Sequence, residues 1–265
     1  MDDAAVGAYL RRIRADRPAA ADSGALRELQ VRHLTSVPFE NLSVHLGEEI
    51  ALEEKALYEK LVGARRGGFC YELNGAFATL LEALGYRVSL LAARVFADGV
   101  PGIPYDHLAL GVEAADGTRW LADVGFGRHS HHPLRLDAEG EQRDPGGTFR
   151  LVPAEAGDLD VLRDGTPQYR LERRPRVLRD FEAGAWWHRT SPRSHFTRSL
   201  VCSRLTEDGG RITLSGRSLV VTGPDGGREE TELAADEVLP AYRTRFGLEL
   251  EREPRLAGPH GNVDR

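Results

Sequence analysis

The chain has 265 residues, of which 41% are hydrophobic and 29% charged, and its formal net charge is −6. This is the balance of an ordinary globular protein, long enough to bury a sizeable core. An acidic chain with no dominant basic stretch excludes a nucleic-acid binder, and no apolar run approaches the ~18 residues that a membrane span needs. The N-terminal MDDAAVGAYLRRIRAD is acidic and then amphipathic, unlike a signal peptide. Two cysteines, Cys70 and Cys202, do not make a disulfide framework, so a cytoplasmic setting is expected. Lysine stands only at Lys55 and Lys60, a usage read as base composition rather than chemistry.

Residues 1–87 read as helical. Val6, Tyr9, Leu10 and Ile13 form one apolar stripe, and Leu26, Leu29 and Leu34 begin another, which Pro38 interrupts. PFENL, after that break, reads as a loop. Leu57, Leu61 and Val62 share a helix face ahead of RRGG. Gly67 and Gly68 are read as a tight turn. The next helix begins at Cys70 and carries Leu73, Phe77, Leu80, Leu81 and Leu84 at steps of mostly three and four before Gly85 closes it. A thiol at a helix N-terminus feels the positive end of the macrodipole, which favours the reactive thiolate. A free cysteine is as often a small buried hydrophobe, so Cys70 needs partners before it reads as a nucleophile.

Residues 88–190 change to a period of two. VSLLAARVF, HLALGVEA, TRWLADVGF and shorter runs near 149–152 and 168–171 are strand-like, split by turns at DPGG and RDGT. His107 opens one strand and Asp123 closes the next, joined by a turn at Asp116-Gly117. The histidine follows Cys70 by 37 residues and the aspartate follows the histidine by 16. A hairpin would bring imidazole and carboxylate together, as a thiol–imidazole–carboxylate triad requires. HSHH at 129–132 lacks the i, i+4 geometry of helical zinc ligands, so no metal is expected.

From 191 onward, strands in RITLSGRSLVVTG precede a helical stretch in AADEVLPAYRTRFG, and the tail after Gly258 is expected to be disordered. GPDGG at 223–227 reads as a hairpin turn and Cys202 as a core residue.

VPFENL (37–42), RRGGFCYELN (65–74), DHLAL (106–110), LADVGFG (121–127) and RTSPRSHF (189–196) appear in the order found in the arylamine N-acetyltransferases, which this chain resembles over roughly residues 25–205. The resemblance implies an α+β fold with a cysteine-protease-like Cys-His-Asp core. Its parts would be an N-terminal helical bundle (1–87) carrying the nucleophile, a central β-barrel-like domain (88–190) carrying His107 and Asp123, and a C-terminal α/β lid (191–265). It implies that Cys70, His107 and Asp123 are the catalytic triad, and that Phe126, Val95, Phe196 and Gly127 border the substrate. Glu40 and Arg66, whose bland reading is solvated surface charge, become a structural ion pair under the nucleophile turn.

The implied activity is transfer of an acetyl group from acetyl-CoA through an acyl-cysteine to an arylamine nitrogen, with ping-pong kinetics and no tightly bound cofactor. The partners are then a small arylamine and an acyl-CoA, without nucleic acid or membrane. Two alternatives keep a reactive cysteine. One is an amide synthase that takes a polyketide from an acyl carrier protein and closes a macrolactam; the loop from Gly127 to Gly147 departs from the acetylating pattern. The other is a cysteine hydrolase, against which the RGGFCYELN and DVGFG contexts speak.

Overall fold

The computed structural model describes residues 1–256, so the tail after Gly258 lies outside the described residues. Helix α1 (Asp3–Ile13) and helix α2 (Ser23–Ser36) are each capped by an aspartate, Asp2 accepting from Ala5 N and Asp22 from Ala25 N at 2.8 Å. Helix α2 stops at Ser36, because the residue before Pro38 disfavours helical backbone. PFENL is not the loop expected from the sequence. It forms a short strand β1 (Phe39–Glu40) and a single-turn helix α3 (Leu42–Leu46). The signal was too short for periodicity to register. Helix α4 (Glu54–Tyr58) continues into a π-helical turn (Glu59–Gly63) that buries Leu57 and Leu61.

Helix α5 (Cys70–Ala83) runs through the centre of this layer. Leu73, Phe77, Leu80 and Leu81 are fully buried, each contributing about 1.5–3 kcal/mol by burial. Glu72 Oε2 accepts from Phe69 N at 3.2 Å, which caps the first turn. Lys60 Nζ lies 2.5 Å from the other oxygen of Glu72.

Strands β2 (Arg87–Ala97), β3 (Val100–Pro101), β4 (His107–Glu113), β5 (Arg119–Ala122), β6 (Leu134–Arg135), β7 (Glu141–Asp144), β8 (Gly147–Pro153), β9 (Leu159–Arg163) and β10 (Thr166–Arg176) form one antiparallel sheet. Its order is β6-β5-β4-β2-β10-β9-β8-β7, with β3 on β2, and it curls into a nearly closed barrel. Phe149, Val161, Tyr169 and Leu171 fill the interior, while helix α5 packs on β2 and β4 from outside. Residues 178–190, placed with the strands in the sequence reading, are helical. They form a 3-10 turn (Leu178–Phe181) and helix α6 (Glu182–Thr190), and their Phe181 and Ala185 join the core around helix α5.

After helix α7 (His195–Arg198), strands β11 (Cys202–Leu205), β12 (Arg211–Ser215), β13 (Ser218–Thr222) and β14 (Arg228–Glu232) make a second sheet, and helix α8 (Val238–Ala241) with a π-helical turn (Tyr242–Phe246) covers it. The sheet order is β1-β11-β12-β13-β14. Strand β1, from the helical part of the sequence, is thus its edge. The expected C-terminal unit is therefore completed by a segment some 160 residues upstream, Phe39 pairing with Ser203 and Glu40 with Cys202. Among the described residues no helix is long and apolar enough to cross a membrane.

Candidate active site

Cys70 is the first residue of helix α5 and is 3% exposed. The chain reaches it through a turn that must pass very close to β1. Neither Gly67 nor Gly68 has positive φ; that conformation falls to Arg65, at φ 52°. A Cβ on Gly67 would sit 2.0 Å from Pro38 O. The glycine is required by close approach, not by a tight turn as the sequence suggested. The turn is then stitched to β1 by Glu40 N donating to Gly68 O at 2.9 Å.

Glu40 and Arg66 do meet, buried, but not as a two-oxygen fork. Arg66 Nε and Nη2 both reach Glu40 Oε1, at 3.1 and 3.0 Å. Glu40 Oε2 instead accepts from Leu42 N at 2.7 Å. Arg66 Nη1 takes both oxygens of Glu48, at 3.1 and 3.0 Å, a second partner that the sequence did not reveal. Arg12, from helix α1, donates to the carbonyls of Ser36 and Leu61 at 2.7 and 3.0 Å and to that of Arg65 at 3.2 Å.

His107 opens β4 and Asp123 follows β5, on adjacent antiparallel strands joined through Asp116-Gly117. His107 Nε2 donates to Asp123 Oδ2 at 2.7 Å, with both residues buried. Cys70 lines the same cleft as the imidazole and helps to raise it. Burial works against a charge on His107, but Asp123 and then Cys70 outweigh it and hold the ring up to about 10. Burial likewise works against the Asp123 carboxylate, and His107 and Asn74 outweigh it, holding the group down to about 2. Both shifts favour an imidazolium–carboxylate pair.

Three residues absent from the predicted set build the surroundings. Asn74, one turn beyond Cys70, donates to Asp123 Oδ1 at 2.9 Å. Tyr169, on β10 inside the barrel, donates to Asp123 Oδ2 at 3.4 Å, since a lone pair there would face a carboxylate. Its oxygen then accepts from His129 Nε2 at 3.2 Å. Burial holds His129 neutral, down to about 4. His129 belongs to the HSHH run, whose last two residues, His131 and His132, donate their backbone N–H groups to Asp144 at 2.8 and 3.0 Å. Asn74 stood within a motif and carried a polar side chain on an apolar helix, which was the one available signal. Tyr169 and His129 carried none, because strand register and a loop path decide which way they point.

Gly125 explains how the two halves close. A Cβ there would lie 2.6 Å from Cys70 Cα. Gly127, by contrast, has φ 88° and no atom within 4 Å of a built Cβ, so it is a turn glycine that also lines the cleft. Phe126 sets its ring edge-on to His107, centroids 5.1 Å apart. Phe196 stacks edge-on against Phe69 at 5.8 Å, and Asn41 holds its carbonyl at 3.0 Å. Val95, Phe126, Gly127 and Phe196 all line one cleft of about 1050 Å³, together with Cys70 and His107. Among the described residues no group of three or more His, Cys, Asp and Glu is placed to hold a metal ion.

The sequence profile of the N-acetyltransferase family matches residues 22–255. The chain is 39% identical over 258 residues to an arylamine N-acetyltransferase of Mycolicibacterium smegmatis, covering 92% of both chains. The chain belongs to the arylamine N-acetyltransferase family. It is an acyltransferase. The fold agrees. The arylamine N-acetyltransferase from Salmonella typhimurium superposes with TM-score 0.88 at 32% identity, covering 95% of this chain and 94% of that one. The Mycobacterium marinum arylamine N-acetyltransferase, solved in complex with CoA, superposes with TM-score 0.83 at 32% identity, covering 92% and 93%.

Proposed function

We propose that this protein moves an acetyl group from acetyl-CoA to the nitrogen of an arylamine through an acetyl-Cys70 thioester. The observation that carries the reading is His107, held between the Asp123 carboxylate at 2.7 Å and the Cys70 thiol on the wall of the large cleft. In the first half-reaction the Cys70 thiolate attacks the acetyl carbonyl. The new C–S bond forms as the bond to the coenzyme sulfur breaks, and the imidazolium of His107 supplies the proton to the departing thiolate. One thioester replaces another, so the acyl-enzyme costs little. In the second half-reaction an arylamine, unprotonated at neutral pH, attacks the acyl-enzyme. The C–N bond forms, Cys70 leaves as thiolate, and His107 takes the amine proton. Asp123 keeps the ring oriented and its charge compensated throughout. Phe126 and Phe196 offer apolar walls that suit an aromatic acceptor.

The test is mixing with acetyl-CoA in the absence of amine, followed by peptide mass spectrometry. One acetyl group is expected on the peptide containing Cys70, discharged on adding aniline. Cys202 lies fully buried on β11, where burial pushes its thiol well up, so it should stay unmodified. An adduct on Cys202, or undiminished turnover by Cys70→Ser, would overturn the reading.

A further inference from the structure

Asp123 is the first residue beyond strand β5, and the hairpin's last cross-strand partners before it are Leu110 and Ala122. Its backbone N–H therefore leaves the ladder just where the carboxylate has to be placed. Three consecutive N–H groups are held by side chains instead. Asp123 N donates to Gln30 Oε1 at 3.2 Å, Val124 N to Asn74 Oδ1 at 2.9 Å, and Gly125 N to Asp123 Oδ1 at 2.9 Å. Two helices thus grip the segment, α5 through Asn74 and α2 through Gln30, which lies 93 residues away along the chain.

Packing alone does not ask for an amide at position 30. Helix α2 buries Leu26, Leu29, Gln30 and His33, and Gln30 is fully shielded. Its Nε2 has no hydrogen-bond partner among the described residues. A buried amide with an unpaired N–H costs stability, a cost that a leucine here would avoid. His33, one turn further on, bonds Tyr9 Oη at 3.1 Å and sets its ring 5.2 Å from that of Phe77. The bond to Asp123 N is what the Gln30 amide contributes. The Asp123 carboxylate, meanwhile, already accepts from His107, Asn74, Tyr169 and Gly125 N. Those bonds fix how the carboxylate is turned. Gln30 fixes where the backbone that carries it stands.

We infer that Gln30 is a positioning residue of the active site: through its bond to Asp123 N it sets how closely the carboxylate meets His107. The inference rests on the acetyl-transfer reading and extends its machinery to helix α2.

The test compares wild type with Gln30→Met, which is close in size but has no acceptor, and Gln30→Glu, which keeps an acceptor oxygen. The first readout is single-turnover acetylation of Cys70 by acetyl-CoA. In Gln30→Met the maximal rate should fall about tenfold while the half-saturating concentration stays within about twofold, since a small misplacement of reacting groups is felt steeply in rate. Gln30→Glu should stay within about threefold of the wild-type rate. The second readout is the low-field proton resonance of the His107–Asp123 hydrogen bond, which should move upfield in Gln30→Met and hold its place in Gln30→Glu. A Gln30→Met protein that melts lower but acetylates at the wild-type rate, with an unmoved resonance, would overturn the inference and leave Gln30 as core packing. So would equal losses in the two variants, because the acceptor oxygen would then not be what matters. Failure of the acetyl-transfer reading is distinguishable. Wild-type Cys70 would then take no acetyl group from acetyl-CoA, whereas the resonance reports on His107 and Asp123 without any donor.

Discussion

Asn74 holds Asp123 from the helix that carries Cys70. Its Nδ2 donates to Asp123 Oδ1 at 2.9 Å and to Leu108 O at 2.6 Å, and its Oδ1 accepts from Val124 N at 2.9 Å. One fully buried amide thereby fixes helix α5 against β4 and against the segment after β5. The spacing from Cys70 is one helical turn, which places both side chains on the face that meets the barrel.

Asn74→Ala should therefore damage stability and chemistry together. It leaves a buried carbonyl, a buried N–H and one carboxylate oxygen short of a partner, at a combined cost of about 2–4 kcal/mol. A thermal melt and kcat/KM on one preparation check this. An unchanged melting temperature would show that water replaces the amide without penalty.

The two glycines after Asp123 should respond differently to alanine. Gly125→Ala drives a methyl to 2.6 Å from Cys70 Cα, so the loop and the helix must part. Acetylation of Cys70 should slow by more than tenfold, since misplacing reacting groups by about 1 Å costs up to ~10² in rate. Gly127→Ala meets no atom within 4 Å but must hold φ 88°. That conformation costs of order 1 kcal/mol or more, so the variant should lose stability while Cys70 still acetylates. Single-turnover acetylation rates separate the two outcomes.

The two carboxylates that meet Arg66 are not equivalent. Glu40 is buried, so Glu40→Gln leaves the shielded guanidinium with only its partly exposed partner Glu48 and should cost about 3 kcal/mol. The Glu48 side chain is 41% exposed, so Glu48→Gln should cost under ~1 kcal/mol. Denaturant melts of the two variants give the comparison. Equal losses would mean that the network shares its charge rather than resting on the buried pair.

How far the sequence reached depends on the range of each signal. Helix α5 and the β4–β5 hairpin are local patterns, and Cys70, His107 and Asp123 sit at their ends, where glycine and turn chemistry mark the boundaries. The place of β1 at the edge of the second sheet was not legible, because two residues carry no periodicity and their partner Ser203 lies far along the chain. Arg66 was read as pairing with Glu40, but its second partner Glu48 follows from how helix α3 ends, not from any motif. The arginines that line the cleft are scattered from Arg128 to Arg228 and become a group only when the two sheets face one another.

Stability should fall on the acid side because of two buried neutral histidines. Burial holds His33 down to about 3 and His129 down to about 4, whereas an unfolded histidine titrates near ~6.5. Between those limits the unfolded chain binds protons that the folded chain refuses, so stability declines as pH drops from ~6.5 toward 4, by about 1.4 kcal/mol per unit for each group. His107 has the opposite sign. Held up to about 10, it contributes stability that is fully present below ~6.5 and is lost as pH rises through 10. Asp123, held down to about 2, contributes stability above ~3.8 that is lost as pH falls through 2, below the window of the two histidines. His131 and His132 are lowered too, by burial first, but are only partly buried and should add less. His129→Gln can keep an N–H for Tyr169 while removing the titration. Urea melts at pH 7, 6 and 5 should therefore show a shallower acid slope in this variant, by about 1.4 kcal/mol per unit. A slope equal to that of wild type would show that His129 binds protons in the folded chain as readily as in the unfolded one, and that burial does not hold it neutral.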